Sequence, residues 1–410
     1  MPAVVLFWLS CEAAGLAAGL VLCVVGAFLW MTHEASTAVS AVAGGVGVLG
    51  AVMAVAGGRH LLRLRNTRAR LPPPGRLVDV GGYRMHVLAE GETRADRIPI
   101  VCFAGGHASG NAIFHLHRAM RAETRSILID RPGTGWSDTG PFPRTTAREA
   151  EEVVRALKGA GETGPFVWAG HSFGGLLVAN IARRRPDLVH TLVLLDPTPL
   201  DTIVFGPRLR ALTDMRRTAW LGGFAQLVGI DLQAGQEREQ RQTPGYARVL
   251  DAVQAALGPE VQAARALDAR AGTYFAAASI YRELSPEGVA AHAWETSVYD
   301  RDLGDLPVWL VGPKSDSDAD IAALPEAQRG DPAEARRMFR FFAASRERYL
   351  ATSTRSRRIV APAGSGHNFV YEEPAFTIAV LREATMTNAS ARADGENGVD
   401  SPPRVEPHAA

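Results

Sequence analysis

Ser172 stands at the centre of Ala169-Gly170-His171-Ser172-Phe173-Gly174-Gly175. A serine hydroxyl attacks a carbonyl only when a nearby base takes its proton. The Gly-x-Ser-x-Gly spacing is informative because of what flanks it. An apolar run, Pro165-Phe166-Val167-Trp168, leads in, and Leu176 to Ala182 leads out with helical spacing. Strand, tight turn and helix together lift a serine hydroxyl above a sheet, at the positive end of the following helix. A plain Gly/Ser turn would need no such flanks. His367 is the base these residues point to. It comes after Ser172 in the chain and sits in the turn Gly364-Ser365-Gly366-His367, just past the apolar run Arg358-Ile359-Val360-Ala361.

Other histidines have quieter readings among the 11 present. His171 is expected to point away from the nucleophile into packing, and His107 to line the pocket. His115 and His117 lack the cysteines or carboxylates of a metal site, so no metal is expected. Gly105-Gly106 and Gly133-Thr134-Gly135 match neither a dinucleotide fingerprint nor a phosphate loop. No cofactor is expected either.

The elements that must position these groups alternate along the chain. Arg76 to Asp79 and Tyr83 to Leu88 read as a hairpin turning at Gly81-Gly82. Apolar strands follow at Ile98–Phe103, Ser126–Ile129, Pro165–Trp168, Thr191–Leu195, Pro307–Val311 and Arg358–Ala361, with helical stretches between several of them. That alternation implies an α/β fold with a mostly parallel sheet flanked by helices. Function then gathers at the carboxyl ends of the strands.

Residues 76–385 resemble the α/β-hydrolase superfamily. The resemblance is carried by Asp130-Arg131-Pro132-Gly133-Thr134-Gly135-Trp136-Ser137-Asp138, by Gly170 to Gly175 and by Gly364-Ser365-Gly366-His367. These stretches are similar to bacterial serine hydrolases grouped with the pimeloyl-carrier-protein methyl ester esterase. The resemblance implies a Ser-His-Asp triad and two backbone donors for the oxyanion. Phe173, the residue after the nucleophile, would supply one and Gly106 the other. Ala104 stands before Gly105-Gly106 where relatives often carry His-Gly. The triad acid is expected after the strand preceding His367, in Gly312-Pro313-Lys314-Ser315-Asp316-Ser317-Asp318. Asp316 is preferred there, with Asp318 and the strand-end Asp196 as competitors. A helical cap is expected over about 197–305, broken at Gly258-Pro259.

Composition bounds the rest. With 410 residues, 47% of them hydrophobic and a net charge of +1, nothing draws this chain to nucleic acid. Three cysteines give no disulfide framework. Residues 1–58 hold no Lys or Arg and two apolar stretches, Ala13–Met31 and Ala38–Gly57, each close to the ~20 residues a bilayer requires. They read as a transmembrane hairpin, closed by the small pairs Gly15/Gly19 and Ala43/Gly47/Ala51. The segment 59–75 is a basic juxtamembrane stretch, with five arginines from Arg59 to Arg70, then a Pro-rich linker. Those arginines place the hydrolase domain in the cytoplasm. Residues 386–410 are polar and read as a disordered tail. The expectation is a membrane-anchored serine hydrolase acting on a small-molecule ester, lipid-like esters included. An amidase, thioesterase or perhydrolase on the same triad, or a non-catalytic binding protein of the same fold, is the alternative.

Overall fold

The computed structural model describes residues 3–32, 37–198, 209–232, 237–238, 241–242, 244–283, 298–314 and 331–387. Asp316, Asp318 and most of the polar tail lie outside them. Three helices precede the sheet: α1 (Ala3–Leu9), α2 (Ala14–Thr32) and α3 (Thr37–Arg70). α2 and α3 pack along each other, and each is long and apolar enough to cross a membrane. The seam differs from the expected Ala43/Gly47/Ala51 stripe. Buried positions on α3 are Ala43, Gly50, Gly57 and Leu64, with His60 beside them, whereas Ala51 is exposed. A seven-residue spacing keeps one stripe facing its partner as two helices cross at a shallow angle. A Cβ on Gly50 would lie 2.6 Å from the Cys23 amide nitrogen, so the backbones touch there. The basic segment continues α3 to Arg70, and the Pro-rich stretch 71–75 that follows it is non-helical.

One eight-stranded sheet follows, β1 (Arg76–Asp79), β2 (Arg84–Glu90), β3 (Ile100–Phe103), β4 (Ser126–Ile129), β5 (Phe166–His171), β6 (Val189–Leu195), β7 (Val308–Gly312) and β8 (Ser356–Val360). Their order is β1-β2-β4-β3-β5-β6-β7-β8. β1 and β2 pair antiparallel at one edge, β2 runs antiparallel to β4, and the remaining pairs are parallel. Strands β3, β4 and β5 are buried throughout, which explains their unbroken apolar runs. Alternate residues feed two cores. Val101, Ile127 and Trp168 pack under α5 (Thr146–Ala160) and α6 (Phe173–Arg184). Cys102, Leu128 and Val167 face α4 (Phe114–Met120) and the last helix, Pro374–Ala384.

The cap supplies α7 (Leu209–Leu227), α8 (Pro244–Ala264) and α9 (Ala271–Glu283). α8 kinks at Gly258, whose φ is 73°, as Gly258-Pro259 implies. Between α8 and α9 the helical backbone is interrupted at Asp268-Ala269-Arg270. Both charged side chains there turn inward. Asp268 accepts from the Gly135 amide at 2.6 Å and the Ser109 hydroxyl at 2.8 Å, and Arg270 donates to the Gly135 and Ser137 carbonyls. Tertiary hydrogen bonds to the 133–138 loop thus override local helix propensity.

Candidate active site

Strand β3 lies between β4 and β5, so crossovers leave it in opposite directions and open a crevice at its carboxyl end. Ser172 follows β5 at that crevice with φ 53° and ψ −118°, a conformation that L-residues rarely adopt. Close packing makes the strain possible. A Cβ on Gly174 would sit 2.6 Å from the Ala104 carbonyl oxygen, so only glycine lets α6 start this near β3. The Ser172 amide donates to the Leu195 carbonyl at 3.0 Å, tying the turn to β6.

His367 Nε2 lies 3.1 Å from Ser172 Oγ, and its Nδ1 lies 2.5 Å from Asp196 Oδ2. The position next to Nδ1, which the sequence reading assigns to Asp316, is held by Asp196, at the end of β6. Asp196 has a φ of 42°, and its amide donates to the Val311 carbonyl at 2.7 Å. That backbone turn aims the carboxylate across the strand ends toward His367. Its second oxygen lies 3.2 Å from Arg346 Nε, on helix α10 (Pro332–Glu347). Burial pushes the Asp196 carboxyl upward. The hydrogen bond from His367, with the charges of His367, Arg346 and His171, outweighs it and holds the group below its ordinary range. The His367 side chain is 42% exposed and that of Asp196 6%. The imidazole is thus reachable from solvent while the carboxylate is sealed from water.

Phe173 is the first residue of α6, where helix N–H groups have no partner within the helix. Gly106 adopts φ 56° in the loop after β3, and a Cβ on Gly105 would lie 2.9 Å from that of Ser172. Both expected oxyanion residues contact one side chain. Arg131, fully buried, donates from Nη2 to the Gly106 carbonyl, and its guanidinium lies 5.2 Å from the centre of the Phe173 ring. The Asp-Arg-Pro-Gly stretch was visible in the sequence, but nothing in it placed the guanidinium under the oxyanion loop. Asp130 organises the same loop, accepting from the Gly110 and Trp136 amides and facing His86 Nδ1 at 3.0 Å.

The remaining histidines divide. The His171 ring is buried and donates from Nε2 to the His367 carbonyl at 2.9 Å, so it braces the base rather than joining the reaction. Burial, and then the charge of His367, lower its pKa to about 3. His107 does not line an open pocket. Its side chain is 1% exposed and bonds to the Pro132 carbonyl, with burial holding its pKa well below the ordinary value. His115 meets the Val370 carbonyl, and His117 bridges Ser126 and Glu90. Among the described residues no cluster of three His, Cys, Asp or Glu could hold a metal ion.

Residues 100–380 match the model of the alpha/beta hydrolase family. A 2-(acetamidomethylene)succinate hydrolase of Mesorhizobium japonicum is 30% identical over 128 residues, 30% of this chain and 43% of the relative. An uncharacterized vacuolar membrane protein of Saccharomyces cerevisiae is 31% identical over 133 residues, 28% of this chain and 20% of the relative. The chain spans less than half the length of these curated relatives. Among solved structures, a probable hydrolytic enzyme of Pseudomonas aeruginosa PAO1 superposes with a TM-score of 0.52 at 18% identity, covering 74% of this chain and 90% of that one. With its sheet order, its strained serine turn and a family match over most of its length, this chain belongs to the alpha/beta hydrolase family.

Proposed function

We propose that the protein is a membrane-anchored serine hydrolase that cleaves a carboxylic ester through an acyl-enzyme. The observation that carries this reading is the hydrogen-bonded line Ser172 Oγ, His367 Nε2, His367 Nδ1, Asp196 Oδ2. Ser172 Oγ attacks the ester carbonyl as His367 Nε2 takes its proton. Asp196 fixes the tautomer and stabilises the imidazolium. The Phe173 and Gly106 amides receive the developing oxyanion, with Arg131 anchoring the carbonyl side of Gly106. The alcohol leaves with the proton from His367, and a water activated by the same base releases the acid. Each step balances without a redox partner.

Anchoring rests on the two apolar helices and the arginines that follow them, which orient the hydrolase domain toward the cytoplasm. The test of the chemistry is labelling with a fluorophosphonate and turnover of a short soluble ester. Wild type is expected to label at Ser172, and Ser172→Ala to lose labelling and at least about three decades of turnover while keeping its fold. Near-normal turnover by the alanine variant would refute the nucleophile.

A further inference from the structure

Helix α1 reads Ala-Val-Val-Leu-Phe-Trp-Leu, and of its large side chains only Leu6 is buried. Val4, Val5, Phe7 and Trp8 are 40–67% exposed. A second set of bare apolar side chains lies on and after cap helix α7, where Met215, Leu221, Phe224 and Ile230 are 43–54% exposed. Single exposed apolar residues are ordinary, but two adjoining sets on one side of a molecule are not.

Their position relative to the hairpin gives the meaning. Leu6 shares a small core with Leu227 of α7 and with Ala271 and Phe275 of α9. The Gly15 backbone abuts the Leu227 carbonyl, and a Cβ on Gly229 would lie 3.3 Å from that of His60 and 3.6 Å from the Ala56 carbonyl oxygen. Gly15 is at the start of α2, and Ala56 and His60 bracket the end of the apolar stretch of α3. The cap therefore touches both spans at their domain-facing ends, the level at which a bilayer passes from hydrocarbon to headgroups. Exposed cations follow at the end of that span: Arg59 and Arg63 on α3. Exposed apolar side chains beside arginines at the end of a span suit an interfacial membrane surface.

We infer that α1 and the Leu221–Ile230 face of the cap lie in the lipid interface, so that the active site takes an amphiphilic ester from the leaflet that holds the hairpin. Helix α9 links the two places. A Cβ on its Gly272 would lie 3.4 Å from the Ser10 carbonyl oxygen, and its Tyr281 hydroxyl lies 4.0 Å from the Cβ position of Gly106. Nine residues of helix, a rise of ~14 Å, separate its contact with Ser10 from the residue that reaches Gly106. This inference rests on the anchoring proposed above, and the test separates the two.

The full chain, with Cys11, Cys23 and Cys102 replaced by Ala, is reconstituted into vesicles of mixed phosphatidylcholine and phosphatidylglycerol. A polarity-sensitive fluorophore is placed at one of Val5→Cys, Leu221→Cys, Phe224→Cys, Val48→Cys or Arg155→Cys, and nitroxide-labelled lipid is added as quencher. Labels at positions 5, 221 and 224 are expected to be blue-shifted and lipid-quenched like the span position 48. Position 155, exposed on α5, should stay water-like. If 48 is quenched while 221 and 224 behave like 155, the inference falls and anchoring stands. An unquenched 48 removes anchoring and the inference with it. Labels at 221 and 224 that are dry yet unquenched would show the face covered by protein and overturn the lipid surface. In parallel, the double variant Leu221→Glu/Phe224→Glu should hydrolyse a vesicle-embedded long-chain ester roughly tenfold more slowly. Its rate on a short soluble ester should be unchanged. Equal loss on both substrates would overturn the proposal.

Discussion

The hydrolase sheet and the N-terminal hairpin are built on opposite rules. In the sheet, large side chains such as Trp168, Phe166 and Ile100 are sealed inside, and small residues appear where a backbone turns around Ser172. In the hairpin, the small residues Gly19, Gly26, Ala43 and Gly50 line the interior, while Leu20, Val24, Phe28 and Val52 face outward. Water drives the first arrangement, because burying apolar area is the dominant gain there. The second has no such drive in water and matches the close backbone contact that helices make in a solvent as apolar as leucine. Under the anchoring proposed above, one chain would meet two solvents, and the cap packs against the hairpin beside Gly15, Ala56 and His60.

The sharpest way to break the catalytic side is to remove a charge without changing shape. Asp196→Asn is expected to lower turnover by about four decades at neutral pH, because an amide offers His367 the wrong hydrogen-bonding partner and no countercharge. Asp316→Asn should stay within about twofold of wild type, the ordinary scatter for a group outside the machinery. Turnover of both variants on a soluble ester decides it, and a dead Asp316→Asn beside an active Asp196→Asn would return the acid to the loop after β7.

That reversal of preference shows what a sequence does and does not expose. Ser172 was legible because strand, glycine turn and helix are written consecutively around it. His367 was legible for the same reason. The acid is positioned by neither a local pattern nor a spacing: Asp196-Pro197 reads as an ordinary strand-terminating turn. Its role depends on a φ of 42° and on β6 lying beside β5, both properties of the folded sheet. Arg131 was hidden likewise, since its contacts to Gly106 and Phe173 cross 25 and 42 residues of chain. The hairpin was easy to see as two apolar runs. Its seam was not, because spacings of four and seven both occur among so many small residues, and only the crossing of the helices selects one.

Glycine substitutions sharpen the hairpin side, with a smaller effect. Gly50→Leu must push α3 away from the Cys23 amide, an overpacking that typically destabilises by about 1–3 kcal/mol. Gly47→Leu is the control, since nothing lies within 4 Å of a Cβ there. Melting in detergent micelles should fall for Gly50→Leu and hold for Gly47→Leu. Both should turn over a soluble ester at rates within about twofold of wild type at 25 °C, since neither touches the triad. Equal losses of melting temperature in the two variants would mean that the seam is not where the glycines touch.

The smallest effect is a pH dependence, and it arises where the base is braced. His171 Nε2 donates to the His367 carbonyl, so its neutral form keeps the proton there and a second proton must enter at buried Nδ1. Burial, then the adjacent charge of His367, oppose that and lower the pKa to about 3, against the pull of the His367 carbonyl and Asp196. The unfolded chain binds this proton near pH 6.5 and the folded chain only far below. Stability from this group is therefore complete above about pH 7 and is lost as pH falls from about 6.5 toward 3, by on the order of 1 kcal/mol per pH unit. His171→Gln keeps an N–H donor for the His367 carbonyl and removes the titration. Some stability is lost at pH 8 from imperfect packing, but the decline between pH 7 and pH 5.5 should be shallower than in wild type by on the order of 1 kcal/mol. Other buried histidines, His107 among them, titrate equally in both proteins and cancel in the difference. Denaturant midpoints at the two pH values measure it. Parallel declines would show that His171 gains its proton without disturbing the fold, and that the brace behind the base is not dry.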